Sequence, residues 1–566
     1  MKGWRLGLLL ASACMSQAAD AAWLNLCSLE PATKEGLLHE YTSVSGAWTG
    51  LLLRAAPIAD CATSELPLPV ASITAGRLLS ADLGRALAPG FALTGSEVDH
   101  RFQLEEVIPR GEPAGSSQIP AGVELIDDLT IVHFGAENRT HALHKDGRLA
   151  LTCSAGKAPA GIILKLPHRG LPLAISLDAQ LSYAADGEFE LALSDRRRAA
   201  GGDPLPLAQL PADQTTAVMQ LPRAGLDIAS IESFTLACPS RAARLALHSL
   251  KLVPSSTSSP IPARALWAWQ PAAWLEEPEA LLTKLDQAGA DTLFTTIPID
   301  LQTGRVSQAA PLENFVKLAG KRGVRVWAVV GDPGAVKEDQ RAGFARFPAA
   351  YALYNSEVNA EARLAGLQFD IEPYINAGYS LAPSAWQEAY LETLAQLKRA
   401  TSMPMDVVVP YWWADQQNGR LLERLAPVTD SLTVMNYRTH PAQIKRFAQP
   451  FLEWGQRHGR AVRIALESGP IADELQRHYA PKPAGEVAII SIGTKQALLL
   501  FDRPLTAPNA WGEVRMFAYT HTTPLPGGAV SFAGQRQALL TLLPELENLW
   551  RAWPGFSGVA LHEFEP

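Results

Sequence analysis

From residue 264 onward, short apolar runs alternate with amphipathic stretches of helical period. Runs at 265–269, 292–297, 324–330, 367–371, 405–411, 432–436, 462–466 and 559–561 read as strands. Those at 278–288, 312–321, 340–362, 384–399, 420–425, 441–457 and 535–550 read as helices. Eight such strand units over roughly 300 residues predict an α/β fold closed as a (β/α)8 barrel, since a doubly wound sheet stops at fewer strands. An insertion at about 470–532 separates the seventh strand from the last helix.

Upstream the period changes to two. Runs at 129–134, 149–153, 162–166, 173–181, 189–193, 217–221, 234–238 and 245–252 are punctuated by turn residues such as Ala185-Asp186-Gly187, as in an all-β jelly-roll-like sandwich. The chain therefore divides into a sandwich at 121–252, a Ser/Pro linker at 253–263 and the barrel at 264–566, while 19–120 shows no assignable pattern. The sandwich is similar in architecture to carbohydrate-binding modules that precede polysaccharide-active domains.

Composition narrows the classes. The 566 residues are 47% hydrophobic and 19% charged, a globular balance, and a net charge of −8 without basic blocks speaks against nucleic acid as a partner. Residues 1–18 read as an export signal, with a basic start, an apolar run and small residues at Ser16 and Ala18, so a periplasmic or secreted location is expected. Cys14 after Leu10-Ala11-Ser12-Ala13 offers a lipid-anchored alternative. No later stretch is apolar enough for a spanning helix. Cys27, Cys61, Cys153 and Cys238 suit two disulfides, with Cys27–Cys61 and Cys153–Cys238 the pairing that staples single segments, and their spacing does not suit zinc.

Barrel chemistry collects at the C-terminal ends of the strands. Asp370 and Glu372 end the fourth strand two residues apart, so both carboxyls face the lumen, where mutual repulsion and lost hydration raise a pKa and keep one acid protonated. Such an acid can protonate a leaving oxygen. Tyr437 ends the sixth strand and Glu467 the seventh. Trp267, Trp269, Tyr374, Tyr411, Trp412 and Trp413 offer flat faces to pyranose rings, and Asn436, Arg438 and His562 offer polar contacts. Of Trp412 and Trp413, one is expected to pack against a helix. No serine-hydrolase elbow, Walker loop, dinucleotide fingerprint or zinc helix is present, so no metal or other cofactor is assigned.

Residues 366–372, Gly-Leu-Gln-Phe-Asp-Ile-Glu, resemble the end of the D-G-x-D-x-D-x-E signature of glycoside hydrolase family 18, the chitinase-like barrels. Val434-Met435-Asn436-Tyr437-Arg438 resembles that family's M-x-Y-D, and the insertion before the last strand fits its pattern. The resemblance implies Glu372 as general acid, Asp370 as the residue orienting a substrate acetamido group, and Tyr437 as donor to that group's carbonyl, in a substrate-assisted, retaining cleavage of a polysaccharide. Ala365 and Gln368 stand where the signature has its first two aspartates, and Arg438 where M-x-Y-D ends in aspartate. Two alternatives stay open. Glu372-Pro373 and Glu467 also resemble the acid/base and nucleophile of clan A glycosidases, with Glu467 otherwise a counter-ion for Arg438 or Arg463, and a non-catalytic glycan-binding barrel needs only the aromatic groove.

Overall fold

The computed structural model describes residues 118–564, except 137, 169, 173–174, 200–201, 222–225, 256–258, 377–378, 380–382, 415–418, 493–494 and 508–512. Before residue 118 it describes 22–25, 30–31, 41–42, 49–55, 73–80, 87–98 and 101–109. The export signal, Cys14, Cys27 and Cys61 lie outside the described residues.

Eight parallel strands close a barrel: β1 (Arg264–Ala268), β2 (Ala290–Thr296), β3 (Arg325–Val330), β4 (Gly366–Phe369), β5 (Met405–Pro410), β6 (Ser431–Met435), β7 (Ala461–Glu467) and β8 (Phe556–His562). Alternation assigns each residue to a side. Leu367, Phe369 and Ile371, with Val407, Val409, Leu432, Val434, Ile464, Leu466 and Leu561, pack outward into the helix layer. Ala265, Trp267, Phe294, Val329, Ala465 and Ala560 fill the lumen, with Trp269, Trp327 and Tyr437 against them. Gly366 lies under Trp327, where a Cβ would fall 2.3 Å from the indole, so only glycine leaves room for that ring.

The helices end where local chemistry ends them. Pro278–Ala288 and Pro441–His458 start on a proline, whose missing N–H has no intrahelical partner to lose, and stop at Gly289 and Gly459 in the left-handed region. The helical stretch at 340–362 is made of Glu338–Phe344, Arg346–Glu357 and a 3-10 turn, Ala360–Ala362. No helix among the described residues is long and apolar enough to cross a membrane.

The sandwich consists of two five-stranded antiparallel sheets over one apolar core, stapled by Cys153–Cys238. Its strands Thr140–Lys145 and Leu205–Leu210 were not evident in the sequence. Both are sheet edges, where one hydrogen-bonding side is free: the first is rich in histidine and the second tolerates Pro206. The sandwich docks on helix Pro441–His458. Gln449 accepts from the Ala121 amide (2.6 Å) and donates to the Ile119 carbonyl (3.1 Å), Gln118 donates to Glu453, and Arg446 pairs with Asp128.

The unassigned N-terminal region and the insertion make one sheet. The insertion contributes Lys495–Thr506, Ala484–Ile492, Val514–Leu525 and Glu474–Pro481, in that spatial order. Each outer strand of this set meets an N-terminal strand: Ile73–Ser80 pairs with Lys495–Thr506, and Phe91–Val98 with Glu474–Pro481. Phe91 and Leu93 complete a core with Tyr479, Ile489, Leu498 and Phe517. Neither segment alone shows this partnership, because strand pairing across nearly 400 residues leaves no local signal.

Candidate active site

Gln368, Asp406, Thr433 and Ser431 build a polar floor. Gln368 accepts from the Trp267 indole N–H (2.6 Å) and donates to Asp406 (2.8 Å), which also accepts from Thr433 (2.7 Å) and Ser431 (2.5 Å). Burial raises the Asp406 pKa, opposed by those donors and by Arg463. Thus Gln368 is neutral where the resemblance expects an acid, and a carboxylate arrives instead from the adjacent strand. Asp406 was missed in the sequence, although an acid inside the apolar run Met405–Pro410 is a signal, since alternation opposite Met405 and Val407 turns it inward.

Above the floor lie the predicted acids. Strand β4 ends at Phe369, two residues before the expected end, and Asp370 continues the ladder through its amide to the Val330 carbonyl (2.9 Å). Asp370 and Glu372 are both 6% exposed. Burial pushes the Glu372 carboxyl up to about 7, against the hydrogen bond it accepts from the Tyr374 hydroxyl. Burial, Glu372 and Asp406 together hold Asp370 well above the usual carboxylate range, with His562 opposing. One Asp370 oxygen has no hydrogen-bond partner among the described residues. Tyr437 stays protonated: burial first, then the carboxylates of Glu467, Asp370 and Glu372, raise its hydroxyl. A protonatable acid, a second carboxyl and a neutral hydroxyl donor therefore share one water-poor mouth.

Glu467 and His562 stand opposite each other on β7 and β8. Glu467 accepts from His562 Nδ1 (2.8 Å) and from the Gly469 amide (2.7 Å), and the Trp269 indole donates to His562 Nε2 (2.8 Å). The alternative reading of Glu467 as a counter-ion for Arg438 or Arg463 is not met among the described residues, where its side-chain partner is His562. The donor on Nε2 places the ring proton on Nδ1, so the imidazole links the carboxylate to the indole. Glu563, next along, takes a left-handed backbone (φ 46°) and closes against Gly469.

The remaining candidates divide by side. Tyr374 packs edge-on to Trp412 (5.2 Å between ring centroids), and Arg438 lies over Tyr411, 4.5 Å from its centroid, at the rim between β5 and β6. Trp413 is fully buried against Tyr390 on helix Pro383–Arg399, so it is the member of the pair that packs outward. Asn436 follows the outward phase of β6 and donates to the Ile444 carbonyl in the next helix (2.7 Å), away from the lumen where Tyr437 sits. Trp327 is partly buried and packs against the lumen core. Among the described residues no group of three or more histidine, cysteine or acidic side chains is placed to hold a metal.

No protein-family model and no curated protein matches the chain. Among solved structures it is similar to the CBM22-1–GH10 modules of the Clostridium thermocellum endo-1,4-beta-D-xylanase 10B complexed with xylohexaose, at 8% identity and a TM-score of 0.26, over 64% of this chain and 83% of that one. It is also similar to a family 29 carbohydrate-binding module, at 10% identity and a TM-score of 0.18, over 25% of this chain and 90% of that one. A variant of such a module complexed with mannohexaose aligns at 11% identity and a TM-score of 0.18, over 25% and 93%.

Proposed function

We propose that the barrel hydrolyses a glycosidic bond in a polysaccharide containing 2-acetamido sugars, with retention and with the substrate's own acetamido oxygen as nucleophile. The observation that carries this reading is Glu372: a buried carboxyl at the barrel mouth whose pKa of about 7 matches neutral pH, so that it can both give and take a proton there, as a general acid/base must. In the proposed reaction Glu372 gives its proton to the leaving glycosidic oxygen. The acetamido carbonyl oxygen attacks the anomeric carbon, with Asp370 orienting the N–H and Tyr437 holding the carbonyl oxygen in place by donating a hydrogen bond to it. Glu372 then removes a proton from the water that opens the cyclic intermediate.

The bonding of Glu467 favours this reading over a double displacement. Both its oxygens accept hydrogen bonds, from Gly469 and from His562, and a nucleophile would have to give up part of that support to attack. A purely binding barrel would not need Asp370 and Glu372 desolvated together, an arrangement that opposes their ionisation. The Cys153–Cys238 disulfide supports an oxidising, extracytoplasmic setting. Reducing-end release from a panel of acetamido polysaccharides tests the proposal: release by the wild type and its loss in Glu372→Gln are expected, and equal release by both proteins would overturn it.

A further inference from the structure

Arg438 is a cation at the barrel rim without a carboxylate beside it among the described residues. Some shielded basic side chains close on carboxylates, as Arg264 does on Glu547 and Arg446 on Asp128, and others, Arg139 and Arg463, donate to backbone carbonyls deep in the fold. Arg438 meets only neutral oxygens, donating from Nη1 to its neighbour's Tyr437 carbonyl (2.7 Å) and from Nη2 to the Tyr411 hydroxyl. Among the described residues it forms no ion pair. Two rings flank it: Tyr411 at 4.5 Å, and Phe447, which stacks on Tyr411 at 4.6 Å and is itself 5.9 Å from the guanidinium. A guanidinium fixed over a ring and bonded to two neutral acceptors keeps its full charge and unused N–H groups in fork geometry.

Its place matters as much as its charge. Tyr437, the residue before it, points into the lumen beside Asp370 and Glu372, whereas Arg438 folds back over the end of β6 at the rim. A sugar chain positioned with its reacting bond at Glu372 would run past this rim. The raised Asp370 and Glu372 carboxyls also place less negative charge at the mouth than their number suggests, so an anionic ligand meets less repulsion there.

We infer that Arg438 is the docking point for a carboxylate carried by the substrate, which selects an acidic acetamido glycan over a neutral one with the same backbone. This rests on the hydrolase reading above for its position relative to the reacting bond, but not for the binding itself.

Two matched pairs of probes test it: oligosaccharides alternating N-acetylglucosamine with glucuronate, and strands alternating N-acetylglucosamine with N-acetylmuramate, each as free acid and as methyl ester. Neutral N-acetylglucosamine oligomers complete the set. Affinity is measured on the full chain carrying Glu372→Gln, and kcat/KM on the wild type. The free acid of one pair should be favoured about tenfold or more over its ester, in keeping with a charge-assisted hydrogen bond. Arg438→Gln should bring that ratio to within about twofold, and Arg438→Lys should keep part of it as a point charge without the fork. A ratio that persists in Arg438→Gln, or a preference for the neutral oligomers, would overturn the inference while leaving the hydrolase standing. Absence of cleavage with Arg438-dependent binding of a free acid would do the reverse. Failure of both free acids to bind would remove Arg438 as a docking point.

Discussion

Glu467 and His562 share a 2.8 Å hydrogen bond across β7 and β8, and the same imidazole accepts from the Trp269 indole. In the proposed reaction Glu467 would act through this chain of bonds by positioning, since it bonds to the histidine that in turn holds an indole against the lumen. Asp370→Asn and Tyr437→Phe are therefore expected to lower kcat more than Glu467→Gln does, since they act on the reacting group itself. Steady-state kinetics of the three variants check the order, and a Glu467→Gln variant much slower than both others would restore the double displacement.

Glu372→Gln should lower turnover by about 10²–10⁴-fold, the usual contribution of a general acid, with substrate affinity largely kept because the amide is nearly isosteric. In the wild type, kcat/KM should decline as pH rises through about 7, where the carboxyl of the free protein loses its proton. Retention of a third of the rate in the variant would remove Glu372 from its role.

The same carboxyl should cost stability at high pH. Glu372 binds its proton more tightly in the folded chain, with a pKa of about 7 against an ordinary 4.5, so the folded state holds more protons between those values and stability falls as pH rises through that window. The full shift corresponds to about 3 kcal/mol. Relative to the wild type, Glu372→Gln should become more stable on going from pH 4.5 to pH 8 in urea unfolding. Parallel curves for the two proteins would mean that the group is not perturbed.

Deleting residues 19–117 removes the strands that cover both outer strands of the insertion sheet, Glu474–Pro481 and Lys495–Thr506. Uncovered edges template further pairing, so the truncated chain should self-associate where the full chain does not. Light scattering of the two proteins at equal concentration distinguishes them, and a monodisperse truncated chain would show that those edges are protected in another way.

We expect limited proteolysis to cut first within 253–263, our proposed boundary between sandwich and barrel. The fragments should separate only in denaturant, because Gln449 and Arg446 hold the sandwich to helix Pro441–His458 and the N-terminal strands pair with the insertion. Mass spectrometry finding first cuts inside 270–460 would contradict the boundary.

The barrel was legible in the chain because its information is local: short apolar runs leading to Asp370, Tyr437, Glu467 and His562, and helices bounded by Pro278 and Gly289 or Pro441 and Gly459. Alternation also suffices to turn Asp370 and Glu372 to one face, and applied with equal rigour it turns Asn436 away from Tyr437. The rest depends on groups distant in the chain. Which of Trp412 and Trp413 is buried depends on Tyr390, and the partner of Glu467 is a histidine 95 residues away. Gln368 is satisfied by Trp267 and Asp406 from two other strands. The N-terminal region had no assignable pattern because its strands find their partners in an insertion nearly 400 residues later, and backbone pairing specifies geometry without requiring any residue type that a reader of the sequence could recognise.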